Sequence, residues 1–296
     1  MAITLPISAF YFQYSLTKEI CKDLRFVRIL HYVSLASLGV VLYFDKGNVH
    51  LLFSIDVLLK LFLFVVALIY AAVFAIISNN FEDLETDKIS NISRPLVQNT
   101  VNKDLYWKAG VFCQLFALIL SALVQINLLI AIFLISLGYY VYSCRPFRLK
   151  KIPFLAKLLI GFNSLVVAVA GFVLVGGKAA DFPTIWIFYI LVPLSLSANF
   201  VDLKDIEGDR AMNVRTLPVM WGAQKATFFI AFMTFIAYLI PCILLQIWWV
   251  YPLTLLMLAS HIYFLYAKPY REKPIFFIYV SSIFGLNMFL FISKYF

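Results

Sequence analysis

Charge is what this sequence has least of. Of its 296 residues only 13% are Asp, Glu, Lys or Arg, against 64% apolar, and mean hydropathy is +0.94. Soluble domains use about 25% charged residues, so a water-facing globule of this length is excluded. Histidine is scarce too: His31, His50 and His261 are isolated and form no ligand spacing. Cys21, Cys113, Cys144 and Cys242 show no CxxC or CxxxC spacing, and the two inside apolar spans read as buried free thiols. The N-terminus lacks a basic-then-apolar signal with a small-residue cleavage site, so the first helix is expected to remain. Acidic residues are outnumbered 15 to 24, a formal charge of +9. The excess lies between apolar runs, where it orients helices and meets anionic membrane lipid; nucleic acid is not an expected partner.

Long hydrophobic runs are what the chain has in their place. Spans are predicted near 27–44, 51–78, 105–125, 127–143, 155–176, 184–201, 226–247, 252–267 and 275–293, long enough to cross a ~30 Å hydrocarbon core. Pro183 and Pro274 sit near helix starts, where a missing N–H costs little, and Pro241 is expected to kink the seventh span. Threading these spans places 20 of the 24 Lys and Arg residues on one side, counting Lys22 and Arg25 before the first span. Only Lys46, Lys178 and Lys294 fall on the other, with Lys60 inside the second span. The bias predicts a cytoplasmic N-terminus and a C-terminus on the opposite face. Asp56, one turn before Lys60, is its expected ion-pair partner. The expectation is an all-α, polytopic membrane protein, residues 1–296 forming a single domain of about nine helices around a central cavity.

Two helix ends are acidic. The second span runs into Asn79-Asn80-Phe81-Glu82-Asp83-Leu84-Glu85-Thr86-Asp87, where Asn79, Asp83 and Asp87 share one helical stripe at i, i+4, i+8. The sixth runs into Asp202-Leu203-Lys204-Asp205-Ile206-Glu207-Gly208-Asp209-Arg210, with Asp205 and Asp209 at i, i+4 and Asp202 three residues earlier. An Asp at a helix centre in hydrocarbon costs ~2.5–3.5 kcal/mol on insertion scales. Such carboxylates need water, basic partners or a divalent metal, and an oxygen-only ligand set suits magnesium. The stripe recurs after the second helix of each four-helix set, and basic loops follow helices four and eight. That pattern suggests a weak internal duplication with both stripes facing one cavity.

These residues resemble the UbiA superfamily of intramembrane prenyltransferases. The family's NDxxDxxxD motif with a following Arg-Pro-Leu is similar to Asn79-Asn80-x-x-Asp83-x-x-x-Asp87 and Arg94-Pro95-Leu96. Its second motif, DxxDxxxD, resembles Asp202-x-x-Asp205-x-x-x-Asp209, continuing into Arg215-Thr216-Leu217-Pro218-Val219 and Gly222. A Tyr-Ser followed by Arg-Leu-Lys resembles Tyr142-Ser143 and Arg148-Leu149-Lys150. Asn80 stands where the family usually has Asp. Asn213 stands where the branch of chlorophyll synthases, homogentisate prenyltransferases and archaeal glyceryl-phosphate prenyltransferases usually has Gly, and no Pro follows Arg25 or Arg28.

The resemblance implies a prenyl diphosphate substrate, a lipophilic or aromatic acceptor, and Mg2+ held by Asn79, Asp83, Asp87, Asp202, Asp205 and Asp209. Asp83, Asp87, Asp205 and Asp209 are the expected catalytic carboxylates. Arg94, Arg148, Lys150, Lys204 and Arg210 are expected to neutralise the departing diphosphate, and aromatic faces such as Tyr139 and Tyr142 to support an allylic cation. A terpene cyclase of the same superfamily shares the metal motifs and needs no acceptor. A transporter would more often carry its ionisable residues at mid-membrane, on broken helices; here they cluster at helix ends.

Overall fold

The computed structural model describes residues 17–21, 23, 26–44, 48–152, 155–246 and 248–295. Lys22, Arg25 and Lys46, to which the charge count gives a side, lie outside these residues. In hydrocarbon every backbone N–H and C=O must find its partner within the spanning segment, so each apolar run closes into a helix. The described residues form nine: α1 Phe26–Tyr43, α2 Ile55–Glu82, α3 Lys103–Val124, α4 Ile126–Ser143, α5 Leu155–Leu174, α6 Thr184–Lys204, α7 Ala223–Leu245, α8 Tyr251–Tyr266 and α9 Glu272–Tyr295. Eight are long and apolar enough to cross a membrane; α8 has 16 residues, about 24 Å of helix. Large side chains such as Phe112, Leu123, Phe228 and Leu255 are more than half exposed, a surface suited to lipid and not to water. The protein is an all-α, multi-pass integral membrane protein.

The helices depart from the predicted spans in ways that matter for function. Residues 51–53 belong to a 3-10 turn, and α2 starts at Ile55 behind Ser54, whose hydroxyl accepts the Val57 N–H at 3.3 Å. At its other end α2 runs four residues beyond the predicted 78 and carries Asn79 and Asn80 on the helix itself. α6 is not one regular helix: residues 190–194 form a π turn around Pro193, and Ala198–Lys204 tighten into a 3-10 helix. Proline lacks the N–H that would continue the α ladder, and the wider turn absorbs the gap. Helix α7 continues unbroken through Pro241. Asp56 and Lys60 pair at 2.7 Å on the exposed face of α2, as the sequence suggests.

Close packing depends on small residues. α1 crosses α5 where a Cβ on Gly39 would stand 1.8 Å from Ala168 O, and one on Gly171 would stand 2.1 Å from Ala36 O. Only glycine lets the two backbones approach this far. α9 packs back onto α1 and closes the bundle. There Asn287 Nδ2 donates to Ser34 O at 2.8 Å, and Lys294 Nζ donates to Val41 O and Phe44 O at 3.0 and 2.9 Å, satisfying carbonyls at the end of α1.

Candidate active site

Both acidic motifs leave the membrane through the same local conformation. At the end of α2, Asp83 sits at φ −95°, ψ 9° and hands the chain to a short helix, Leu84–Ser90. At the end of α6, Asp205 sits at φ −102°, ψ 11° and hands it to Ile206–Ala211. This bridge conformation is sparsely used, and its use twice fits the predicted duplication. Helical bonds persist across each joint, Asp87 N to Asp83 O and Asp209 N to Asp205 O, both 2.8 Å, so each stripe survives the change of element. The two short helices touch one another. Tyr142, near the end of α4, lies within electrostatic reach of Asp83, Asp202 and Asp209. The motifs therefore share one mouth.

The first motif is paired with cations. The loop after α4 delivers Arg148 and Lys150 to Asp83; Arg148 Nη2 donates to Oδ1 at 3.0 Å and Lys150 Nζ to Oδ2. Arg148 is in the left-handed region, φ 45°, a strained setting for a non-glycine residue that the ion pair holds in place. Arg94 donates to Asp87, which is almost wholly buried, and Asn91 Nδ2 adds a bond to it at 3.1 Å. Burial pushes the Asp87 carboxyl above its ordinary value against the pull of Arg94. Burial likewise pushes the Lys150 ammonium down against the pull of Asp83. Ser143 Oγ donates to Asn79 Oδ1 at 2.9 Å and so fixes the amide that opens the motif.

The second motif is less compensated. Lys157 reaches Asp202 at 2.8 Å, and Thr216 Oγ1 donates to Asp209 at 3.2 Å. Among the described residues neither Asp205 nor Asp209 has a basic group within ion-pair distance. Burial, then neighbouring Asp202, pushes the Asp209 carboxyl up to about 6, and burial raises Asp205 as well. Lys204 is turned away to Glu272 at the start of α9, which also takes Arg28 at 3.4 Å. Arg210 is exposed, with no ion pair among the described residues. A cavity beside this motif is lined by Lys150, Lys157, Asp202, Arg215 and Thr216.

Among the described residues no three carboxylate, imidazole or thiol groups converge as a preformed metal cage. The donors nevertheless fit a hard divalent cation: they are oxygens only, and the two half-buried carboxylates of Asp205 and Asp209 have no ion-pair partner among the described residues.

A profile described as the UbiA prenyltransferase family matches residues 30–289. The chain belongs to the UbiA prenyltransferase family. It is 28% identical over 153 residues to a digeranylgeranylglyceryl phosphate synthase of Thermococcus sibiricus, a match covering 51% of this chain and 52% of that relative. The chain thus spans about half the length of that relative. Against the enzyme of the same name from Methanocaldococcus jannaschii it is 27% identical over 248 residues, 82% of this chain and 83% of the relative. Its fold is similar to a UbiA homologue from Archaeoglobus fulgidus solved with DMAPP and Mg2+, with TM-score 0.70, 16% identity, and 92% and 99% of the two chains covered.

The UbiA frame explains two departures noted in the sequence. Asn213 has φ 54°; the backbone there is left-handed, a setting that suits glycine, and Asn is among the side chains that tolerate this region best. Asn80 is buried and shares the Arg94 Nη1 donor with Asp87. Its Nδ2 donates to Tyr106 OH at 3.1 Å and its Oδ1 accepts from Arg94 at 2.9 Å, while Tyr106 OH donates to Asp23 at 2.7 Å. Lys157, Thr216, Arg28 and Glu272 were not singled out as site residues by sequence. Lys157 registered only as one of many topology-setting cations, and Glu272 lies 67 residues from Asp205 with no local pattern to mark it.

Proposed function

We propose that this protein transfers a prenyl group from a prenyl diphosphate to a lipophilic or aromatic acceptor, with Mg2+ at the acidic mouth. The observation that carries this reading is the meeting of two carboxylate stripes and a ring of cations at one end of an apolar bundle. When bound, Mg2+ would supply positive charge against the departing diphosphate; Asp83, Asp87, Asp202, Asp205 and Asp209, with Asn79, would hold it. Arg94, Arg148, Lys150 and Lys157 stand where they can bind phosphate oxygens by charge-assisted bonds. Lys204 and Arg210 would join them from the rim. Diphosphate gathers charge as the allylic C–O bond breaks, so groups fixed at that end act on the leaving group itself. Tyr142 and Tyr139 would face the allylic carbons. The 20-to-3 basic bias supports a cytoplasmic mouth and N-terminus, and we propose that residues 1–296 act as a single domain.

The names of the relatives point to a prenylated glyceryl phosphate as the first acceptor to try. The deciding experiment incubates purified protein with Mg2+ and prenyl diphosphates of several lengths, with and without acceptor. Product that depends on acceptor supports transfer; cyclised hydrocarbon formed without acceptor would replace this reading with that of a cyclase.

A further inference from the structure

A second cavity lies between α6, α7, α8 and α9. It offers about 50 Å3 of free volume and opens to the outside, room for a slender polar head and more than the ~10–15 Å3 that admits one water. The lining extends to Leu245, Val250 and Tyr251 at the α7–α8 turn, the end of these helices opposite the acidic motifs. None of its lining residues is Lys, Arg, Asp or Glu, so nothing there could hold a diphosphate.

The cavity is nonetheless not purely apolar. His261 is fully buried on its wall, and neither ring nitrogen has a hydrogen-bond partner. The Tyr238 ring stands edge-on to it, centroids 6.1 Å apart, with its hydroxyl beside Ser282, whose own proton goes to Tyr279 O at 2.7 Å. Buried polar groups are nearly always satisfied, so an imidazole with both nitrogens open beside a cavity marks the place of a missing partner.

Gly285 gives independent support. A Cβ there would meet nothing closer than Phe289 Cε2 at 3.9 Å. Gly39 and Gly171 are needed because a neighbouring backbone fills the Cβ position, but at Gly285 no protein atom uses the room. A helical glycine sacrifices stability relative to alanine, and here the space it leaves belongs to the cavity.

We infer that this cavity binds a neutral lipid with a hydroxyl head, the hydroxyl bonded at His261 and Tyr238 and the apolar body leaving near Leu245 and Tyr251. A neutral imidazole offers one N–H and one lone pair, and no carboxylate lines the cavity to favour a charged ring. A hydroxyl both donates and accepts, so it satisfies either tautomer, whereas a carbonyl can only accept. Phe200 packs against His261, ring centroids 5.9 Å apart, and lies two residues before Asp202. None of the carboxylates or cations of the proposed transfer centre lines this cavity.

The test uses the full chain in nanodiscs with a diazirine-bearing geranylgeraniol as probe, the labelled peptides mapped by mass spectrometry. Labels are expected on segments carrying Tyr238, Met257 and Gly285, undiminished by excess prenyl diphosphate with Mg2+. His261→Phe should reduce that labelling at least tenfold, and Gly285→Leu should abolish it without lowering the melting temperature. Displacement by prenyl diphosphate would mean that the alcohol occupies the donor site. Equal labelling in both variants would mean that it only coats the bilayer-facing surface. Failure to label these segments at all would leave water as the partner of His261. Each of those three results overturns the inference.

Discussion

The two acidic motifs share spacing, joint conformation and a common mouth, yet differ in what surrounds them. Asp83 and Asp87 are held by Arg148, Lys150 and Arg94. Asp205 and Asp209 have no ion-pair partner among the described residues, and the one lysine within their motif is drawn off to Glu272. The cause is the loop that follows each four-helix set. After α4 the chain brings Arg148 and Lys150 inward; after α8, Lys268, Arg271 and Lys273 stay exposed, and the inward residue is the acidic Glu272. Two motifs of like spacing and joint conformation have thus received opposite electrostatic fillings. The carboxylates of the first are compensated by nearby cations, whereas Asp205 and Asp209 of the second have no such partner among the described residues.

The broadest way to break this comparison is activity. Asp→Asn at 83, 87, 205 or 209 should each lower the transfer rate at least ~100-fold, the scale of losing one strong electrostatic stabiliser. Full turnover in EDTA would remove the metal from the scheme altogether. Stability should then separate the motifs. Asp83→Asn leaves Arg148 and Lys150 largely buried without their counter-charge, a loss of ~3–5 kcal/mol for a fully buried pair and less here. Asp205→Asn removes an unpaired desolvated charge and should leave the melting temperature level or higher. If both variants melt alike, the difference in pairing has no energetic meaning.

Diphosphate binding sharpens the contrast further. Arg94→Ala and Lys150→Ala should weaken prenyl diphosphate affinity by ~10- to 150-fold, from ~1.5–3 kcal/mol per charge-assisted bond, and should lower stability as well. Arg210→Ala, at an exposed position, should weaken affinity alone and by less. Titration gives a finer test. A carboxyl raised from 3.8 to about 6 favours its protonated form in the folded, metal-free protein. Asp209 therefore contributes stability at pH below its ordinary value, which is lost as pH rises through about 6. A cation must displace that proton, so Mn2+ affinity followed by electron paramagnetic resonance should climb about fivefold between pH 5 and pH 6, reach about tenfold by pH 7 and flatten above that. A flat profile would place the metal away from Asp209. The smallest effect is expected at Asn80→Asp. The substitution loses the bond donated to Tyr106 and should cost about 1–2 kcal/mol with little change in Mn2+ affinity. A large gain in affinity would show that position 80 can reach the metal after all.

Much of this was legible in the sequence because it is written in short-range pattern. Apolar run length located all nine helices, and i, i+4 spacing set both stripes. The π turn at Pro193 was missed because a single widened turn barely disturbs hydrophobic periodicity. The ends of α2 were displaced because capping by Ser54 and continuation through two asparagines are local hydrogen-bond choices, which hydropathy does not see. Partner choice was the least legible feature. Lys204 lies within the second motif and reads as its neutraliser, but its ammonium goes to a carboxylate 68 positions away. The charge census could count cations without saying which carboxylate each would face.

The pairing of the first motif has a consequence for what can enter the mouth. Without a ligand, its two carboxylates offset two of its three basic side chains, so it repels a lone cation and attracts a lone anion only with the one charge left over. A divalent ion arriving at Asp83 and Asp87 would release Arg94, Arg148 and Lys150, and an arriving phosphate group would release the carboxylates. Each visitor removes the obstacle to the other, and by reciprocity their affinities must rise together by the same factor. Stray inorganic phosphate then finds one spare charge and free metal none, whereas a metal-diphosphate pair finds two vacancies at once: the site would act as a coincidence detector for its own substrate.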